Sequence, residues 1–462
     1  MGRRNSPLRQ AIAMAVLLAA VFLAGLPFCS ADITPSSPSV SPRKPRSLPW
    51  QQPSPPDFPS TAAPNGIAGD RRLPPSSVVF PVYGNVYPDG FYYVSINIGD
   101  PPKPYFLDID TGSDVTWLQC DAPCIRCSQG PHPLYRPAKK RLVPCEDPLC
   151  AALHESTNHE AGCGIPEQCD YEIEYQDHGS SIGVLLSDSF ALRLTNSSLA
   201  QPTLAFGCGY DQQAGPSSGP NGRSPTDGVL GLGNGKVSIL SQLSELGICR
   251  SVVGHCLSRQ SVGFMFFGEN VVPPRSVTWI PLSRNAAHGY YSPGVAGVYA
   301  GKQQLGVRQA VVFDSGSSYT YFNDQLYQSL LSAVSIDISK SKTPLKEAPE
   351  DKALPHCWKG SRPFKSVLDL RKYFRPLTLS FGNGKAPALM EIPPENYFIV
   401  TRQGNACLGV LNGDEVGLGG LNVIGDISMQ DVMVVYDNER QRIGWARVAG
   451  CGRLPKFANS PL

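Results

Sequence analysis

Phe106-Leu107-Asp108-Ile109-Asp110-Thr111-Gly112-Ser113 and Val311-Val312-Phe313-Asp314-Ser315-Gly316-Ser317 decide how this chain is read. Each is an apolar run of strand type that passes directly into Asp-(Thr/Ser)-Gly-Ser. In each half a second apolar run closes on glycine, Asp227-Gly228-Val229-Leu230-Gly231 and Asn422-Val423-Ile424-Gly425, with Asp-to-Gly spacings of 121 and 111 residues. Average residue usage gives the four-residue motif about 0.03 times in a chain of this length. Two copies in the same order at similar spacing therefore indicate an internal duplication, hence two related lobes.

The residue types suggest a chemistry. An aspartate at a strand end, followed by a hydroxyl and a glycine, sits at a sharp turn where the missing Cβ lets backbone approach backbone. Two such turns face to face bring two carboxyls within hydrogen-bonding distance, where like charges resist joint ionisation and one proton is shared. The ionised member can take a proton from water while the protonated member hydrogen-bonds the carbonyl under attack. On this reading Asp110 and Asp314 are catalytic. Thr111 and Ser315 cross-link the two loops, Gly112 and Gly316 permit the close approach, and the Ser113 and Ser317 hydroxyls hydrogen-bond the carboxylates.

With Trp117-Leu-Gln-Cys120, the Cys-dense stretch 120–169, Phe206-Gly-Cys208-Gly209 and Asp227-Gly-Val-Leu-Gly-Leu-Gly233, these motifs resemble the pepsin-type aspartic proteases. Tyr175-Gln-Asp-His-Gly-Ser-Ser and Gly207-Cys-Gly-Tyr-Asp211 are more similar to the nucellin-like and nepenthesin-like plant members, and the resemblance covers about residues 88–451. It implies an all-β, bilobal fold with a peptide-binding cleft between the lobes. It also implies a hairpin flap whose tyrosine corresponds to Tyr175, with Trp117 as its hydrogen-bond partner and Tyr171 as the alternative. Two departures stand out: Ser317 where the family more often has Thr, and His178 as an additional residue in the flap turn.

Processing signals frame this body. Arg3, Arg4 and Arg9 precede an apolar run from Ala11 to Leu26 and the small residues around Ser30-Ala31, the pattern of a secretory signal peptide over 1–31. Residues 32–79 are rich in Pro and Ser, 12 of the 45 residues in 32–76 being Pro, which suits an extended propeptide or linker. The N-terminal lobe is expected over 80–270, the C-terminal lobe over 271–455 and a short tail over 456–462. The 462 residues carry 40 basic and 38 acidic side chains; without residues 1–79 the counts are 32 and 35, so the slight basicity belongs to the leader. A body so close to neutral argues against a nucleic-acid partner. Past the leader no segment is apolar enough to suggest stable membrane association.

Thirteen cysteines follow the signal, and an oxidising compartment makes them disulfides. The family's cysteine set fits Cys120, Cys124, Cys127, Cys145, Cys150, Cys163, Cys169, Cys208, Cys256, Cys357, Cys407 and Cys451, leaving Cys249 over. Cys124-x2-Cys127 resembles half a zinc site but no second ligand pair follows, so neither metal nor cofactor is expected. Asn196-Ser197-Ser198 is a glycosylation sequon. Two short helices are expected, over 238–246 and 324–334, while 335–375 and Lys139-Lys140-Arg141 read as charged, solvated loop. The whole points to a secreted, monomeric aspartic endopeptidase, extracellular or in a vacuole or other endomembrane compartment, cutting protein or peptide substrates between bulky apolar residues at acidic pH. The alternative is a non-catalytic secreted binding protein or glycanase inhibitor on the same fold.

Overall fold

Alternation of apolar and polar residues sets the architecture. In the strand Phe91–Ile98, residues 92, 94, 96 and 98 are all buried, the period-two pattern of a half-buried strand. The computed structural model describes residues 76–452 apart from 123, 125–126, 138–140, 158–162, 177–178, 214–223, 261, 284–289, 383–385 and 449. The signal segment, nearly all of the Pro-rich stretch, His178 and the 456–462 tail lie outside the described residues.

The first four strands are β1 (Val78–Asn85), β2 (Phe91–Ile98), β3 (Lys103–Asp110) and β4 (Trp117–Gln119); β5 (Asp170–Glu174) and β6 (Ser180–Arg193) follow as a hairpin. They belong to a sheet whose order runs from Thr278–Pro281 through Arg442–Arg447, Val432–Asp437, Val252–Cys256 and Val262–Phe267 to β1, β2, β3, Gly228–Gly231, β4, Thr203–Gln213, β6 and β5. Strands from the end of the chain thus pair with strands of the first half, and the sheet crosses the 270/271 division. β1 begins at Val78 and Ser77 is fully buried, so residues 76–79 belong to the folded body rather than to the leader.

The duplication is visible as topology. β3 pairs in parallel with Gly228–Gly231, which pairs antiparallel with β4. In the second half Gln303–Phe313 pairs in parallel with Asn422–Ile424, which pairs antiparallel with Thr320–Phe322. The glycines closing these runs are required by close approach. A Cβ at Gly231 would lie 2.6 Å from the Asp114 carbonyl carbon and Val115 nitrogen, and one at Gly425 would overlap the Ser317 and Tyr319 carbonyl oxygens.

Helices are few. Ile239–Glu245 is capped by Ser238, whose hydroxyl accepts from Ser241 N–H, and Asp324–Lys340 by Asn323, whose side chain accepts from Leu326 N–H. The second runs well past residue 334, and the stretch read as charged loop also holds the strands Lys346–Glu347 and Cys357–Lys359 and a 3-10 turn, Val367–Lys372. A third α-helix, Pro148–Thr157, was not expected; Asp147 Oδ1 accepts from Leu149 N–H and Pro148 occupies the first turn. Arg141 is not a solvated cation: it forms an ion pair with the buried Asp188, which also accepts from the Tyr135 hydroxyl.

The disulfides are Cys120–Cys208, Cys124–Cys127, Cys145–Cys163, Cys150–Cys169, Cys256–Cys451 and Cys357–Cys407, and Cys249 is a buried free thiol. Among the described residues no helix is long and apolar enough to cross a membrane. Asn196 is exposed in the turn after β6, where its side chain accepts from the backbone and hydroxyl of Ser198.

Candidate active site

Both motifs end a strand at the centre of its half. β3 delivers Asp110 opposite Gly231, and Gln303–Phe313 delivers Asp314, whose N–H donates to the Ile424 carbonyl at 3.1 Å. The turns beyond them interlock. Thr111 N–H donates to Ser315 Oγ at 3.1 Å and Ser315 N–H to Thr111 Oγ1 at 2.9 Å. The same hydroxyls donate across the pseudo-dyad, Thr111 to the Phe313 carbonyl at 3.3 Å and Ser315 to the Ile109 carbonyl at 3.0 Å. Thr111 and Ser315 are each 1% exposed, so every one of these bonds is sheltered from water.

This lock brings the carboxyls together. Gly112 N–H donates to Asp110 Oδ1 at 2.8 Å and Gly316 N–H to Asp314 Oδ1 at 2.9 Å. Ser113 Oγ donates to Asp110 Oδ2, and Ser317 Oγ to Asp314 Oδ2 at 2.7 Å, so serine in place of threonine at 317 keeps the hydroxyl in its role. A Cβ on Gly112 would lie 2.7 Å from Asp314 Oδ1, and one on Gly316 would overlap Asp110 Oδ1. The carboxyls lie side by side, each Oδ1 within 3.3 Å of the Cβ position of Gly112 and of Gly316, so the charge of Asp314 acts on Asp110. Burial, followed by the charge of Asp314, pushes Asp110 up to about 7, while the Ser113 hydroxyl and Gly112 N–H pull the other way.

The β5–β6 hairpin overhangs this centre. Tyr175 N–H closes the turn on the Gly179 carbonyl at 2.8 Å, and the Tyr175 hydroxyl accepts from Trp117 Nε1 at 2.7 Å. Burial, then the Asp110 charge, raises the Tyr175 hydroxyl well above its ordinary value, so it remains a proton donor. Tyr171 is buried among Gly183, Gly207 and Gly209, with its hydroxyl 3.0 Å from Ser181 Oγ; Tyr175, not Tyr171, is the tyrosine beside the dyad.

Three titratable groups near the dyad escaped the reading of the sequence. Asp426 follows Gly425; it is 1% exposed, and neither carboxyl oxygen has a hydrogen-bond partner among the described residues. Burial, then Asp108, Asp314 and Asp110, raises it well above the carboxylate range. Tyr290 is raised by burial and by the charges of Asp314 and Asp110. Asp108 stands two residues before Asp110 on the same strand. Its signal was present: residues two apart on a strand share a face.

A Xylanase inhibitor N-terminal description matches residues 92–269 and a Xylanase inhibitor C-terminal description residues 291–447. An aspartic proteinase of Oryza sativa subsp. japonica is 46% identical over 394 residues, covering 84% of this chain and 94% of the rice protein. The chain belongs to the pepsin-like plant aspartic proteinase family. Another member of the family, aspartic proteinase nepenthesin-1 of Nepenthes gracilis, is 27% identical over 411 residues, 83% of this chain and 84% of that protein. Among solved structures, basic 7S globulin from soybean superposes with a TM-score of 0.63 at 18% identity, over 83% of this chain and all of that one. An aspartic proteinase from Irpex lacteus superposes with a TM-score of 0.53 at 15% identity, over 81% and 98%. The pepsin-like family fold expected from the two Asp motifs is therefore the fold found, with the helices and strands of 335–375 as its main revision.

Proposed function

We propose that this chain is an aspartic endopeptidase that hydrolyses peptide bonds through Asp110 and Asp314. The observation that carries the reading is the pair of interlocked turns, which leaves two carboxyls in mutual contact, each held by one backbone N–H and one serine hydroxyl. With its carboxyl pushed up to about 7, Asp110 keeps a proton in mildly acidic solution, and the pair then carries a single negative charge. The ionised oxygen takes a proton from a water lying between the carboxyls as that water attacks the peptide carbonyl. The protonated carboxyl donates to the developing oxyanion, then the proton taken from water passes to the leaving nitrogen. The Thr111–Ser315 lock keeps the carboxyls from drifting apart as charge moves between them. Tyr175, oriented by Trp117, covers the reacting atoms and limits water access.

The same reading includes a secretory route, with cleavage of 1–31, later loss of the Pro-rich segment and glycosylation at Asn196, and a monomeric, extracellular or endomembrane product. The sequon's exposure and the six disulfides support it. The test is cleavage of a denatured protein at acidic pH by the mature chain, sensitive to pepstatin. Equal activity of wild type and Asp110→Asn would sink the assignment. A second reading, a non-catalytic inhibitor of a glycanase, is favoured by the matched domain descriptions, both of which refer to xylanase inhibitors. Tight xylanase binding that survives Asp110→Asn, without peptidase activity, selects it.

A further inference from the structure

Resting on the peptidase reading, we propose that Asp108 makes the substrate pocket beneath Tyr175 selective for a cationic side chain, lysine or arginine, next to the scissile bond. The placement follows from sheet register. Tyr83 of β1 faces Tyr93 of β2, Tyr93 faces Asp108 of β3, Asp108 faces Val229, and Val229 faces Trp117 of β4. Directly opposed residues project to the same side of a sheet, so these five side chains form one row on one face. Asp110 shares that face, about 7 Å further along β3.

The row has a roof. Trp117, at one end, donates its indole N–H to the Tyr175 hydroxyl, which places Tyr175 over this face, close enough for the charges of both Asp110 and Asp108 to act on it. On the other side the wall is aromatic: Tyr93 packs on Phe106, ring centroids 4.8 Å apart, and on Phe91 and Tyr83 at 5.8 and 5.7 Å. Asp108 is half-buried, in contrast with Leu107 and Ile109, which point into the core and are fully buried. The pocket floor is thus a carboxyl between apolar walls.

Among the described residues no cation answers that carboxyl. Among the described residues Asp108 has no ion pair, and the charged groups acting on it are acids, Asp110 and Asp314, with Asp426 in turn sensing it from the turn after Gly425. Burial, then Asp110 and Asp314, raises Asp108 well above the carboxylate range. An acid left uncompensated in a half-buried pocket is costly unless it is protonated or a ligand brings the opposite charge. A lysine or arginine arriving with the substrate supplies that charge, and its methylene stem lies against Tyr93 and Val229 while its head meets the carboxyl. A leucine in the same place strips the carboxyl of water and gives it nothing.

The experiment uses the mature chain and peptides identical except for Lys, Arg, Leu or Phe on either side of the scissile bond, with kcat/KM measured for wild type and Asp108→Asn. A second arm measures binding of two matched non-cleavable hydroxyl isosteres, one bearing a lysine and one a leucine side chain. On one side of the bond wild type favours Lys and Arg. Asp108→Asn lowers the Lys-to-Leu ratio by about tenfold or more while Leu cleavage persists, which also shows that the variant folds. Cleavage with the same Lys-to-Leu ratio in both proteins overturns the role of Asp108 and leaves the peptidase reading standing. Absence of cleavage by wild type overturns the peptidase reading. In that case a lysine-isostere preference lost in Asp108→Asn still upholds the pocket, and equal or no binding of the two isosteres overturns the pocket as well.

Discussion

His255 couples the stability of the fold to pH. It lies in Val252–Cys256, fully buried, with Nε2 3.1 Å from the Tyr436 hydroxyl and no partner for Nδ1 among the described residues. The Tyr436 hydroxyl in turn lies beside Thr111, so the histidine backs the lock behind the dyad. Burial lowers its affinity for protons from an ordinary 6.5 to about 3. The unfolded chain therefore binds a proton at His255 that the native chain refuses between those values, and stability falls as pH falls through that window. At 1.36 kcal/mol per unit, lowering the pH from about 7 to about 4 costs about 3 kcal/mol at this residue alone. His255→Leu removes the titrating group. Its stability at neutral pH can move either way, but its further loss on going to about pH 4 should be smaller than that of wild type by about 3 kcal/mol. Urea denaturation at both pH values reads this as a double difference in which every other titrating group cancels. Equal acid losses in the two proteins, within about 0.5 kcal/mol, refute the reasoning.

Thr111→Val removes the acceptor for Ser315 N–H and leaves that donor buried, so the fold should lose about 2 to 3 kcal/mol in urea denaturation. A loss below about 0.5 kcal/mol contradicts the lock. Ser113→Ala withdraws a hydrogen bond that favours the ionised form of Asp110, so the upper limb of the kcat/KM profile should move to higher pH; a static or lowered limb contradicts it. If the leader is removed, the cut must precede Ser76, whose hydroxyl is 3.0 Å from Thr195 Oγ1 and whose N–H donates to the Ile248 carbonyl. N-terminal sequencing that finds a start beyond Val78 contradicts this. Cys249, buried and pushed up to about 12, should resist maleimide in the native mature protein and react as one thiol after unfolding without reductant. Labelling of the native form contradicts its burial.

The parts of the fold legible in the sequence are those whose physics is local. An apolar strand running into Asp-Thr-Gly-Ser states its own turn, and duplication states that a second copy must face it; both motifs deliver their carboxyls to one centre. The helix Pro148–Thr157 carried an Asp-Pro start signal, but its buried residues are spaced among cysteines held by Cys150–Cys169, and no clear apolar stripe announces it. Arg141 read as solvated because its partner Asp188 is distant in sequence and joins it only through the tertiary fold. Asp108 was hidden by a different cause. It is a polar residue in an apolar strand, which reads as an outward-facing position, and only the register with Tyr93, Val229 and Trp117 puts it in one row with the tryptophan that holds Tyr175, on the face that carries Asp110.

Burial of acids near the dyad ties function to stability through one sign. Asp110, Asp108 and Asp426 all have native carboxyls raised above their ordinary values, so the native chain holds protons that the unfolded chain releases, and stability declines as pH rises through the raised values. Other carboxyls work in the opposite direction. Burial disfavours ionisation of Asp351 and Asp437, yet the Thr401 hydroxyl and Asn405 amide hold the first below its ordinary value, and the Arg440 N–H with the Arg442 and Arg440 guanidinium groups holds the second. Those contributions are lost only as pH falls below the ordinary carboxylate range, while that of His255 erodes from 6.5 downward. Between these limits lies a mildly acidic interval in which, before a cationic side chain binds, the raised acids are neutral and the lowered acids are ionised. It is also the interval in which Asp110 carries the proton that the proposed reaction requires. On the proposed reaction, burial of Asp110 therefore favours mild acid in the chemistry, while in the fold the raised acids favour it and His255 opposes it.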